Sequence, residues 1–378
     1  AFVQRIGQEF DSSIYPMLLR NFGDPLAWDD SLGHNGKVVM LFTRVLNDHF
    51  GSTAGFVSAC DFFPFDTTHV DSLRNVVGND AAIFYAYVPE SASGQPGDPN
   101  SLEGWQGFVR SVLAHESKHL ASYAAKFANG ADSLEDPWLE EATAQTSSEI
   151  YQRTFSGTTW KGHGGWDGQV ACEPPLTGPN GCSGDHPQVM LQHFFYLSDY
   201  LSSFGTESPV GDGGEVYYGG AWSFVRWAVD QYATDEAALL KAINQTVHEF
   251  GVVNLETRTG AQFGDMVGDW ALASAAQAYP GLAPTDVKLT TPSWNQTAIF
   301  AGMHSQLRGF DRVYPLVPAR FRFGLFDTSV LSIHGGGAAI VEISGVPQQQ
   351  RQGIYVRSST GLPLDVNSPV RVGVIRVK

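Results

Sequence analysis

The residues His115-Glu116-Ser117-Lys118-His119 constrain this chain more than any other stretch, because they set two imidazoles four positions apart with a carboxylate beside the first. On an α-helix, positions i and i+4 lie one above the other on one face, so both rings can address a single metal ion. H-E-x-x-H in that setting is the zinc-hydrolase pattern: the histidines ligate, and the Glu takes a proton from a zinc-bound water and later passes it to a leaving amine. With 11 His in 378 residues, chance produces the pattern in roughly one chain in a hundred of this size. The flanks argue against chance. From Trp105 to Phe127 there is no Pro and no Gly after Gly107, and Phe108, Val112, Leu113, Leu120 and Tyr123 recur at helical intervals.

A catalytic zinc usually has three protein ligands, so a third must be found. The metzincin extension is excluded, since Ser122 and Ala125 stand where it needs Gly and His. After the loop Asn129-Gly130-Ala131-Asp132, a second helical run begins near Trp138 and continues to about Tyr151, with Pro137 suited to its first turn. Glu141 lies 22 residues beyond His119 (141 − 119), enough chain for a helix end, a turn and a return. At this point the sequence resembles the gluzincins, whose H-E-x-x-H is followed on the next helix by a pattern often written W-L-N-E-G. Laid over Trp138-Leu139-Glu140-Glu141, that pattern puts the third ligand on Glu141 and replaces its Asn by Glu140. Where some gluzincins carry an Asp four residues after the ligand, this chain has Gln145, so the group that orients a ligating His is Gln145, Glu149 or another residue. For Glu140 and Glu141 the plain alternative is an acidic first turn favoured by the helix dipole.

The resemblance narrows further on several segments: Phe10-Asp11 with Ile14-Tyr15-Pro16, Gly36 to Phe42, Gly55-Phe56 leading to Asp61-Phe62-Phe63, and Asn79 to Tyr87. Together they are similar to the hyicolysin-type family of secreted bacterial neutral zinc metallopeptidases, over most of residues 1 to about 280. In relatives the turn before the first strand reads like a calcium loop. Here Asp29 to Gly36 keeps too few carboxylates at alternate positions to support calcium, and an ordinary polar turn is expected. The resemblance also implies an oxyanion-stabilising Tyr or His from a later helical lobe. Tyr217, in Tyr217-Tyr218-Gly219-Gly220, resembles the Y-x-x-G Tyr of the aminopeptidase branch, with Tyr218 second; packing against the lobe is the alternative for both. His186 and His193 are further candidates, although His193 fits an amphipathic helix, and His163 reads as a loop residue.

Only 16% of residues are charged, and a net charge of −16 argues against nucleic acid or an anionic membrane as the natural partner. No apolar run is long enough to span a membrane, and the chain begins at Ala1 without a signal-like segment, as a mature protein would. Cys172 and Cys182 bracket a Pro/Gly-rich loop that a disulfide would staple in an oxidising compartment, while Cys60 is left as a buried thiol. A secreted bacterial monomer, extracellular or held at the cell surface, is the expectation.

Residues 1–160 are expected to form a mixed sheet with the zinc helices, 161–186 an irregular loop, and 187–284 a helical lobe. Beyond Asp286 the pattern changes to short apolar runs, including Thr297 to Phe300, Ser305 to Phe310, Ala319 to Phe323, Val330 to Ile333 and Ala338 to Ile343, separated by Gly, Pro and Ser. They predict an all-β sandwich over 285–378. The fold class is therefore α+β: a gluzincin (thermolysin-like) catalytic domain over 1–284, then the sandwich. The reading is a zinc endopeptidase with His115, His119 and Glu141 on one zinc ion, Glu116 as base and acid, and Tyr217 on the oxyanion, acting on protein or peptide substrates. An aminopeptidase on the same site is the near rival, though no acidic group for a substrate amine is identifiable. A silent binding or adhesion protein working through the sandwich is the other rival, and the intact Glu116 speaks against it.

Overall fold

In the computed structural model the described residues are 2–28, 36–50, 53–63, 78–90, 101–166, 170, 190–211, 214–279, 282, 286–322, 331–345, 355–364 and 370–375. The Asp29 turn, His186 and the Cys172/Cys182 pair lie outside them.

The chain opens with helix α1 (Phe2–Glu9), which runs through a wider turn, Phe10–Ile14, into α2 (Tyr15–Asn21). Strand β1 (Val39–Phe42), helix α3 (Arg44–His49) and strands β2 (Gly55–Val57) and β3 (Ile83–Ala86) follow. The sheet order is β1-β3-β2, with β1 parallel and β2 antiparallel to β3, so the sheet is mixed as expected. Alternation sets its faces: Met40, Phe42, Phe84 and Ala86 turn inward, while Val39 and Leu41 remain exposed.

Helix α4 (Leu102–Ala128) packs on β2 and β3, and α5 (Pro137–Ser156) packs on α4. Ser101 caps α4 by accepting from the Gly104 amide at 3.0 Å. Pro137 occupies the first turn of α5, and Gly157, at φ +70°, ends it in the left-handed conformation that costs glycine little. The two helices come close because small side chains face each other. Ala114, Ala121 and Ala142 are fully buried, Ser147 Oγ donates to the Ala114 carbonyl at 2.7 Å, and Ser148 Oγ donates to that of Ser111 at 3.0 Å.

The lobe that follows comprises α6 (Met190–Ser202), α7 (Gly214–Tyr232), α8 (Glu236–Asn244), α9 (Gly251–Thr259) and α10 (Phe263–Ala276). Helix α7 starts at Gly214, earlier than the run from Gly220 to Tyr232 that the sequence implies, so Tyr217 and Tyr218 lie inside it. Phe194 of α6 meets Trp222 of α7 edge-on at 5.5 Å between ring centroids.

Beyond residue 286 the structure differs from the sequence reading. The expected strands Thr297 to Phe300 and Ser305 to Phe310 are replaced by helix α11 (Gln296–Gln306) and the turn after it, and the expected strand at Leu289-Thr290 by a short 3-10 turn, Val287–Leu289. The signals for a helix were present: Asn295 Oδ1 accepts from the Ala298 amide at 3.0 Å, and Gln296, Ile299, Phe300 and Met303 are buried at i, i+3, i+4 and i+7. The β-branched and aromatic run Thr297 to Phe300 satisfies a strand template as well, and tertiary packing decides between them. Trp294, Ile299, Phe300, Met303 and Leu316 belong to the same buried cluster as α6 and α7. Strands β4 (Ala319–Arg322) and β5 (Val341–Ser344) pair in parallel, the residues 331–333 form no strand, and an all-β sandwich is not shown among the described residues. Val341 and Ile343, which a sandwich would bury, are each 39% exposed. No helix among the described residues is long and apolar enough to cross a membrane.

The contact between α6 and α7 is a backbone contact at Gly219. A Cβ there would stand 2.2 Å from the Tyr196 carbonyl carbon and 2.3 Å from the Leu197 nitrogen, so no rotamer change can make room. Gly219→Ala should therefore destabilise the protein by about 1–3 kcal/mol. Chemical denaturation followed by circular dichroism checks this; an unchanged midpoint would show that the helices separate without strain.

Candidate metal centre

The uninterrupted helix α4 carries His115 and His119 one turn apart, with Nε2 atoms 3.2 Å from each other and rings 5.0 Å apart at 73°. From the N-terminal part of α5, just past its first turn, Glu141 brings Oε2 to 3.1 Å from His115 Nε2 and 3.6 Å from His119 Nε2. One donor atom from each of the three residues falls within a common 4.8 Å, and together they form a group that can hold a metal ion. The spacing fits zinc: ligand atoms on a tetrahedral ion with bonds of about 2.0–2.1 Å stand about 3.3–3.4 Å apart. All three gaps lie within a few tenths of an ångström of that value.

The electrostatics also favour a cation. Burial by itself lowers the pKa of the His119 imidazolium, but the Glu141 charge and the hydrogen bond with Glu140 outweigh it and raise the pKa to about 10. Burial would raise the Glu141 carboxyl, yet His119 and His115 hold it well below the usual carboxylate range. Glu116 is half-buried. Burial pushes its carboxyl up; His115, His119 and a backbone hydrogen bond with Val57 of β2 oppose that without cancelling it.

The residue that orients a ligating imidazole is Glu140, the position the sequence reading gave to a simple acidic turn. Its Oε1 lies 2.8 Å from His119 Nδ1. A carboxylate only accepts, so the Nδ1 of His119 carries a proton, which leaves Nε2 as the nitrogen that would ligate a metal ion. Successive helical residues project about 100° apart, which lets adjacent glutamates approach His119 at its two nitrogens. The signal for this was the Glu140-Glu141 pair, but its meaning depends on how α5 crosses α4. Gln145 and Glu149 are elsewhere. The Gln145 carbonyl accepts from His193 Nε2 at 3.0 Å, and Glu149, fully buried, accepts from Trp222 Nε1 at 2.9 Å and Trp294 Nε1 at 3.1 Å.

Of the two tyrosines, Tyr218 feels the charges of the site. Burial first, and then the charges of Glu141 and Glu116, push the Tyr218 hydroxyl up from its ordinary value. Tyr217 is buried in the lobe, 5% exposed. His193 is buried in α6 against Trp222, and His163 is an exposed loop residue at φ +51° whose amide donates to the Pro292 carbonyl. Cys60 is a half-buried free thiol.

No family model matches the chain. Among curated proteins it is similar to the neutral metalloprotease ShpI of Staphylococcus hyicus, with 31% identity over 150 residues, which is 39% of this chain and 30% of that protein. The match thus spans less than a third of that relative's length. The likeness supports a metalloprotease family, and with it a hydrolase that uses a metal.

Loss of a direct ligand exceeds the effect of losing an outer partner, which is about 10- to 100-fold in metal affinity. Glu141→Ala should therefore weaken zinc binding by more than about 100-fold, measured by competition with a chromophoric chelator. Unchanged affinity would remove Glu141 from the ligand set.

Proposed function

We propose that this protein is a zinc endopeptidase of gluzincin type, similar to the hyicolysin-type enzymes, in which His115, His119 and Glu141 hold one zinc ion. The observation that carries the reading is the convergence of those three donor atoms beside Glu116, at separations that suit a tetrahedral ion. When bound, zinc supplies Lewis acidity: it polarises the scissile carbonyl and makes water acidic enough to lose a proton near neutral pH.

The chain's own groups do the rest. Glu116 accepts a proton from the attacking water, and its burial helps by making the carboxylate more basic than a solvated one. As the carbon–nitrogen bond breaks, Glu116 returns that proton to the departing amine, so the peptide bond is exchanged for an acid and an amine with no net loss of protons. Tyr218 faces the developing oxyanion and donates a hydrogen bond to it. Its raised hydroxyl value keeps that donor protonated at working pH. Glu140 holds His119 in the tautomer that ligates.

Protein or peptide substrates follow from this chemistry, and the Cys172/Cys182 pair and acidic composition support work outside the cytoplasm.

Hydrolysis of casein should be abolished by a zinc chelator and restored by zinc. Glu116→Gln should lower kcat by about 10²- to 10⁴-fold with zinc still bound; full activity in that variant overturns the mechanism. N-terminally blocked peptides should be cleaved as well as free ones, and a requirement for the free amine would identify an aminopeptidase instead.

Tyr218→Phe should lower kcat by about 100-fold or more with little change in KM, while Tyr217→Phe leaves kcat within a few-fold. The reverse pattern would return the oxyanion role to Tyr217.

A further inference from the structure

We propose that Lys118 and Ser122 are positioning residues for the metal site, acting on His119 through Glu140. The proposal rests on the metal reading above. H-E-x-x-H leaves its third and fourth positions free, and a lysine in a free position of a helix ordinarily reaches solvent. Lys118 does the opposite and is 1% exposed. Its Nζ lies 2.8 Å from Glu140 Oε2 and 3.3 Å from the Glu140 carbonyl oxygen. Ser122 is 0% exposed, and its Oγ donates to the same Oε2 at 2.9 Å. The other oxygen, Oε1, belongs to His119 Nδ1 at 2.8 Å.

Three donors therefore fix both oxygens of one carboxylate, and with them its plane. That plane aims the His119 ring, whose Nε2 lies 3.2 Å from His115 Nε2. The charge arithmetic explains why the donors are these. The W-L-N-E-G pattern has a neutral amide at position 140, whereas this chain has a carboxylate that is 6% exposed. A buried carboxylate needs a cation and a filled set of hydrogen bonds to remain charged. Lys118 supplies the cation, and Ser122, one turn later on the same face of α4, supplies the remaining bond. Positions 118 and 140 are thus a matched pair: neither side chain is tolerable in this burial without the other.

If the pair only clamped α4 to α5, losing it would change stability and leave the metal affinity of the folded protein alone. Zinc binding to metal-free full-length protein, measured by chelator competition, separates the two, with visible absorption of the cobalt(II)-loaded forms as a second readout and circular dichroism to verify folding. Lys118→Met should weaken zinc by about 10- to 100-fold and shift the cobalt bands. The double variant Lys118→Met/Glu140→Gln keeps a neutral acceptor for His119 and needs no cation, so it should recover most of that loss. A folded Lys118→Met that binds zinc within about twofold of the parent, or a double variant no tighter than the single one, overturns the proposal. Should Lys118→Met fail to fold, Ser122→Ala, which keeps both charges, should still weaken zinc several-fold; unchanged affinity there overturns it as well. Parent protein that takes up no zinc would instead defeat the metal reading, and this inference with it.

Discussion

The approach of α5 to α4 is the contact on which the rest of the site depends. Ala114, Ala121 and Ala142 remove bulk between the helices, and Ser147 and Ser148 bind carbonyls of α4 where larger side chains would hold the axes apart. A helix carrying H-E-x-x-H offers at most two ligands and a base. Only a neighbour at this short range lets short-armed carboxylates reach both nitrogens of His119. Packing of small residues and the convergence of these side chains are therefore one requirement. Enlarging the interface at Ala142 would act on Glu141 before it acted on any core residue.

Keeping charges in that interface has a cost that the fold meets by grouping them. Glu140 is balanced by Lys118 and His119. Further along α5, Glu149 lies between Arg153, Arg226 and two indole donors. At the other end of α4, Arg110 forms a two-point pair with Glu9 of α1, to which Tyr151 of α5 also donates. Removing one partner of such a pair is far more damaging than replacing both, since it strands a buried charge. The pairs also tie distant parts of the chain to the two metal helices. Trp294, after the lobe, hydrogen-bonds to Glu149, and so α11 is anchored to α5.

What could be read from the sequence was what local spacing determines. His115, Glu116 and His119 follow from a four-residue period, and Glu141 from the likeness of Trp138-Leu139-Glu140-Glu141 to the gluzincin pattern; the structure brings the two histidines and Glu141 together. Glu140 shows the limit. Its sequence context is equally good for a helix-dipole residue, and only the crossing of two helices directs its carboxylate to Nδ1 of His119. Lys118 is similar, since nothing in H-E-x-x-H distinguishes a buried fourth position from a solvated one. At α11 the limit is a different one: Thr297 to Phe300 fits two periods, and the burial of Gln296 and Met303, which breaks the tie, is a tertiary fact.

The tyrosines pose the same problem at the scale of one residue. Tyr217 and Tyr218 project about 100° apart on α7, so the rotation of the helix decides what each one meets. The choice is made by the glycines that follow. Without a side chain at 219, α7 rests on the backbone of α6 at Tyr196 and Leu197, and without one at 220 it accepts the Tyr200 ring. Those contacts set the rotation of α7 about its own axis. With that rotation fixed, Tyr217 is buried, and Tyr218 feels the charges of Glu141 and Glu116. A motif written as two tyrosines before two glycines thus has the orientation of its first pair set by its second.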